Sequence, residues 1–161
     1  MYIAHTENQL ITQERTGIAK IWDLTNSGYQ KKFEIDSKYI AFGKAECSVS
    51  RNLLFSPQGS VNISAIDLES GEEVHLFKPN EDEKTLNQIA TLKLIELDTE
   101  TFVLAGYDSG HMLLWDLKTN DILSELKYDF PVIAIDYDPL TNRGVVGGGT
   151  SSKICLFSFI R

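Results

Sequence analysis

The tripeptide Trp22-Asp23-Leu24 returns as Trp115-Asp116-Leu117, with a degenerate copy, Ile66-Asp67-Leu68, between the two. Phe157-Ser158-Phe159 holds the equivalent place near the end of the sequence. Successive anchors start 44, 49 and 42 residues apart. A repeat of this length is one supersecondary unit that cannot bury its apolar face alone, so the units must stack on their neighbours. No other property of the sequence restricts the fold as tightly.

The residues around each anchor define the unit. Thr101 to Ala105 reads as a strand, Gly106-Tyr107-Asp108-Ser109-Gly110 as a turn, and His111 to Trp115 as the next strand. Gly110 can take the positive φ of a tight hairpin, and Asp108 can bond its own turn backbone. Lys118 to Asp121 makes a second turn and Ile122 to Leu126 another strand; Pro131 to Pro139 opens the following unit. Short strands with turns every eight to twelve residues, and no sustained 3.6-residue period, predict an all-β chain. Four strands per repeat make one blade of a β-propeller.

The first unit, residues 1–36, shows the pattern without its opening strand: Asn8 to Gln13, Ile18 to Asp23 and Tyr29 to Ile35. The second spans 37–79 (its strands from Ala41), with Ser56-Pro57-Gln58-Gly59 as the inner hairpin and Glu69-Ser70-Gly71 as the outer turn. The third spans 86–127, and the fourth, 130–161, reaches only three strands. The reading is a partial propeller of about three and a half blades. A ring at this period needs roughly 300 residues, and a partial ring has two uncovered apolar flanks. The expectation is an internal piece of a longer gene product, or a shortened form of one.

Composition agrees with a globular chain. Of 161 residues 42% are apolar and 24% charged, which excludes disorder. A formal charge of −8 argues against nucleic-acid binding, which needs clustered Lys and Arg. No apolar run approaches the roughly 20 residues of a membrane helix, and Met1 to His5 shows no signal peptide. Cys47 and Cys155 cannot form a disulfide framework. A cytoplasmic or nuclear, non-secreted protein is expected.

Candidate chemistry is sparse. Gly147-Gly148-Gly149-Thr150-Ser151-Ser152-Lys153 lacks the Gly-Lys-Ser/Thr end of a phosphate loop and runs into a strand, so it reads as the inner hairpin of the fourth unit. Asp136 and Asp138 read as turn formers at a strand end, without the further ligands of a calcium loop. Asp23 and Asp116 are expected to cap the turn after their strands, Asp67 to anchor the second unit, and Trp22 and Trp115 to pack between blades. Cys155 reads as a core residue, and Cys47 lacks a basic neighbour that would activate it. His5, His75 and His111 sit in no metal or triad motif. The polar connection 80–85 carries Glu81, Asp82 and Glu83. It reads either as a solvated inter-blade loop or as a contact site for a basic partner.

The chain resembles the WD-repeat propellers. Three stretches resemble, in order, the family of guanine nucleotide-binding protein subunit beta-like protein 1, to which the fungal ASTRA-associated protein 1 is similar. They are Gln9 to Gln13 leading to Ile21-Trp22-Asp23-Leu24, Ala105 to Gly110 leading to Leu113-Leu114-Trp115-Asp116, and Pro131 to Asp138 leading to Arg143-Gly144. The middle unit, Gly59 to Leu68 and then Leu76-Phe77-Lys78-Pro79, resembles it too. The resemblance implies a non-catalytic seven-bladed propeller without a cofactor, in the co-chaperone machinery that matures phosphatidylinositol 3-kinase-related kinases alongside the Tel2–Tti1–Tti2 assembly. The chain departs from the common repeat where a Gly-His is absent before Ala41 and at Tyr128-Asp129. A protein-interaction scaffold, a fragment without independent function and a propeller enzyme are the alternatives that the residues leave open.

Overall fold

A computed structural model describes residues 2–38, 43–97, 99–149 and 153–159. Ala41, Thr150, Ser151 and Ser152, which belong to segments read above, lie outside the described residues. Among the described residues, fifteen strands form four antiparallel sheets. Sheet one is β1 (Tyr2–His5), β2 (Gln9–Gln13), β3 (Ile18–Thr25) and β4 (Gly28–Asp36). Sheet two is β5 (Glu46–Ser48), β6 (Leu53–Gln58), β7 (Asn62–Asp67) and β8 (Glu73–Phe77). Sheet three is β9 (Ile89–Glu96), β10 (Thr101–Tyr107), β11 (His111–Asp116) and β12 (Ile122–Lys127). Sheet four is β13 (Ala134–Asp138), β14 (Arg143–Gly147) and β15 (Ile154–Phe157). Each is a simple up-and-down meander in chain order, the architecture of a partial WD-repeat propeller.

The anchors sit in one register. Leu10 lies opposite Trp22, Leu54 opposite Ile66, Val103 opposite Trp115 and Gly144 opposite Phe157. In the three four-stranded sheets the pairing of third and fourth strands shifts at the anchor, between Ile21 and Trp22, Ala65 and Ile66, and Leu114 and Trp115. Such a shift increases local twist, which turns the outer strand of these three sheets by the same device.

Alternation along the strands sends consecutive side chains to opposite faces, so each inner sheet supplies two cores. Ile11 and Ile21 of sheet one meet Leu54 and Leu68 of sheet two. The other face of sheet two, with Phe55, Ile63 and Phe77, meets Val103, Leu113 and Trp115 of sheet three. Leu104, Met112 and Leu114, on the far face of sheet three, meet Tyr137, Val146 and Phe157 of sheet four. Polar links join the same seams: Gln13 Oε1 accepts from Ala45 N at 2.8 Å, Arg51 Nε donates to Thr101 Oγ1 at 3.1 Å, and Lys93 pairs with Asp136 at 2.7 Å.

Several local expectations are corrected. Sheet one has its opening strand: Tyr2–His5 pairs with β2 from Tyr2 opposite Gln13 to His5 opposite Leu10. Four residues are too few to show alternation, but an antiparallel neighbour supplies their hydrogen bonds. Ser56 and Pro57 lie within β6, with Pro57 opposite Ile63, so the hairpin turns later, around Gly59 at φ +63°. Polar connection 80–85 contains the start of a short helix, α1 (Glu83–Leu86), capped by Asp82. Gly147 pairs with Ile154 across the hairpin of sheet four, as the glycine-rich stretch suggested.

Candidate functional site

The anchor aspartates divide into two kinds. Asp67 Oδ1 accepts from Ser70 N at 2.7 Å and Glu69 N at 3.0 Å, and Asp116 Oδ1 accepts from Lys118 N at 2.7 Å. Both turns close identically: Gly71 N donates to Asp67 O at 2.8 Å and Asn120 N to Asp116 O at 2.9 Å. Gly71 and Asn120 carry the positive φ, 77° and 62°. The Ser70 hydrogen bonds hold the Asp67 carboxyl below its usual range. Asp23 differs from the expectation, because β3 continues to Thr25. Its carboxylate takes Gln9 Nε2 at 3.0 Å and stands 3.9 Å from Lys32 Nζ. These aspartates fix strands and turns.

Trp115 fills the seam between sheets two and three, 2% exposed, with its ring edge-on to Phe77 at a centroid distance of 5.6 Å. Burying a side chain of this size contributes about 3 kcal/mol or more. Trp22 does not pack between sheets: it is half-buried, outside the three buried clusters. It occupies the position of Trp115, so it faces the flank before sheet one, where the described chain places no sheet.

Interacting polar side chains gather around the loop 80–88 and the β10–β11 hairpin. Asp82 caps α1, accepting from Thr85 N at 3.0 Å. Glu83 accepts from Ser60 Oγ, tying α1 to sheet two. Asp108 does not bond its own turn: Gln88 Nε2 donates to Asp108 Oδ2, and Asp108 N donates to Gln88 O at 2.9 Å. Gly110 at φ +92° makes the turn without help from the aspartate. Ser109 Oγ lies 2.7 Å from His111 Nδ1, and Lys127 Nζ 3.2 Å from the same nitrogen. Glu125 Oε1 stands 3.7 Å from His111 Nε2. Burial, and then Lys127, push the His111 pKa below its ordinary value, against the opposing charges of Glu125 and Glu81. The shift favours the uncharged imidazole. Glu81 is exposed, while Asp82 and Glu83 serve the local structure.

This surface is a set of polar loop tips carried by sheets two and three. Sequence reasoning found the three acids but missed Gln88, His111 and Lys127, whose juxtaposition depends on pairing between separate strands. Among the described residues, no group of three or more His, Cys, Asp or Glu side chains is placed to hold a metal ion. Asp136 forms an ion pair with Lys93, and Asp138 accepts from Leu140 N and Thr141 Oγ1 as a turn former. An apolar groove of about 580 Å³ lies between sheets three and four, lined by Phe102, Leu114, Leu123, Tyr137 and Phe159.

No family model matches the chain. It is similar to guanine nucleotide-binding protein subunit beta-like protein 1 of Mus musculus, with 23% identity over 146 residues. The match covers 87% of this chain and 45% of that protein, so the chain spans a little under half of the relative's length.

Proposed function

We propose that the chain is a non-catalytic protein-interaction scaffold, and that its contact surface is the loop face around Glu81, Asp108 and His111. The observation that carries this reading is the exposed Glu81 carboxylate beside the half-buried polar side chains of Asp108 and His111, on loops carried by sheets two and three, since loops on a scaffold carry most binding residues. Similarity to a G-protein-beta-like relative supports protein binding in general. The finer reading is a co-chaperone role in maturing phosphatidylinositol 3-kinase-related kinases, in the cytoplasm or nucleus, with the Tel2–Tti1–Tti2 assembly as partner. It rests on the resemblance of Gln9–Leu24, Ala105–Asp116 and Pro131–Gly144 to that family.

Affinity purification of the 161-residue chain from cell extract, read by mass spectrometry, tests both levels. Recovery of such kinases or the Tel2-type assembly is expected, with Glu81→Lys reducing it. Recovery of general chaperones alone would contradict the scaffold reading. A different, reproducible partner lost on Glu81→Lys would retain the scaffold and remove the kinase role.

A further inference from the structure

Lys127 holds the tip of the β10–β11 hairpin from the neighbouring strand. It stands opposite His111 in the register of β11 and β12, close enough for the two side chains to meet. Its Nζ donates to Ser109 O and lies 3.2 Å from His111 Nδ1. An ammonium carries donors only, so Nδ1 is the acceptor nitrogen of an uncharged ring and the ring proton sits on Nε2. That proton faces Glu125 Oε1, with 3.7 Å between the heavy atoms. Ser109 Oγ, 2.7 Å from Nδ1, can donate or accept. The charged groups around the ring are Lys127 and Glu125 of β12 and Glu81 of the loop 80–88. Asp108, on the same turn as Ser109, is engaged by Gln88.

We infer that this corner of the loop face is a pH-sensitive switch, in which a proton taken up by His111 Nδ1 displaces Lys127 and unties Ser109 at the hairpin tip. A proton on Nδ1 turns the acceptor into a donor. Ser109 Oγ can rotate to accept from it, but the Lys127 ammonium cannot, and two positive charges would stand 3.2 Å apart. The exposed Lys127 side chain swings into solvent, and Ser109 O loses its donor. Glu125 and Glu81 attract the charged ring and keep it in place. Burial and Lys127 hold the transition below the ordinary histidine value of 6.5, so the tip loosens as pH falls and tightens as it rises. The inference rests on the scaffold reading in that this tip belongs to the proposed contact surface, but the switch is read without a partner.

An NMR titration of the 161-residue chain between about pH 8 and about pH 5 tests the inference. The nuclear Overhauser contact between the Lys127 side chain and the His111 ring should vanish with the midpoint of the ring titration. The Ser109 carbonyl carbon should shift with the same midpoint. Lys127→Met keeps the apolar stem and removes the charge. In that variant the His111 midpoint should rise, and the Ser109 carbonyl signal should sit near its acid position throughout. A Lys127 contact that persists after His111 has titrated would overturn the switch. So would a parental midpoint in Lys127→Met, or a Ser109 carbonyl signal that still moves there as in the parent. Any of these results leaves the scaffold reading standing, whereas failure to recover a partner leaves the titration unchanged.

Discussion

Trp22 Nε1 donates a hydrogen bond to Thr12 Oγ1 at 3.0 Å, across neighbouring strands of sheet one. Trp115 holds the same register position in sheet three, but the residue equivalent to Thr12 there is Ala105. Trp115 Nε1 is buried without a hydrogen-bond partner among the described residues. A buried unsatisfied donor costs about 1–3 kcal/mol. Ala105→Ser offers the missing acceptor with little added volume, so it should stabilise the protein by about 1 kcal/mol. Urea denaturation checks this, and Thr12→Ala should move the midpoint the other way.

Gly110 and Gly59 both have positive φ, 92° and 63°, but in different surroundings. A Cβ at Gly110 would fall 2.4 Å from Tyr128 O and 2.8 Å from Phe130 O, both backbone atoms. At Gly59 it would meet nothing within 4 Å. Gly59→Ala should therefore cost only the left-handed backbone strain, about 1 kcal/mol. Gly110→Ala adds steric conflict with the chain entering sheet four and should cost about 3 kcal/mol or more. Paired thermal melts would show the difference, and equal losses would contradict the close approach at Gly110.

Burial, reinforced by Glu96 and Glu46, pushes the Cys47 thiol up from 9.0 to about 11. A folded-state value above the unfolded one gives stability that is present below pH 9 and lost as pH rises from 9 toward 11. The native protein should lose stability across that window, and Cys47→Ala should flatten the slope. At pH 8 the native thiolate population is about a hundredfold below that of the unfolded chain. Iodoacetamide should accordingly alkylate Cys47 far more slowly before denaturation than after.

The acids of loop 80–85 should separate by role. Asp82→Ala removes the cap of α1 and should cost about 1 kcal/mol. Glu83→Gln weakens the tie to Ser60 and should loosen α1, read as faster amide exchange at Leu86. Glu81→Ser should leave the melting midpoint within about 0.5 kcal/mol of the parent. Any loss of partner binding in that variant then belongs to the surface rather than to folding.

The repeat and most strands were legible in the sequence because their determinants are local. Period-two alternation and turn residues at fixed offsets place β10, β11 and β12, and Gly71 marks the turn that Asp67 closes. What stayed hidden depended on partners remote in the chain. Asp108 finds Gln88, 20 residues upstream, where turn chemistry pointed to its own backbone. Trp22 and Trp115 share a motif, yet among the described residues only Trp115 has a sheet packed against it. The run Glu81-Asp82-Glu83 looked uniform as charge, although one acid caps a helix, one binds Ser60 and one faces solvent. Strand β1 showed no pattern of its own and becomes visible only through its pairing with β2.

The central claim is that the four sheets stack in chain order into one propeller-like body able to present a rigid binding face. Calorimetric unfolding of the 161-residue chain, beside Trp115→Ala, tests it most directly. One cooperative transition is predicted for both proteins, with the variant destabilised by about 3–5 kcal/mol because the seam between sheets two and three is shared by the whole stack. Gradual unfolding without a cooperative transition, or a Trp115→Ala protein as stable as its parent, would contradict the account.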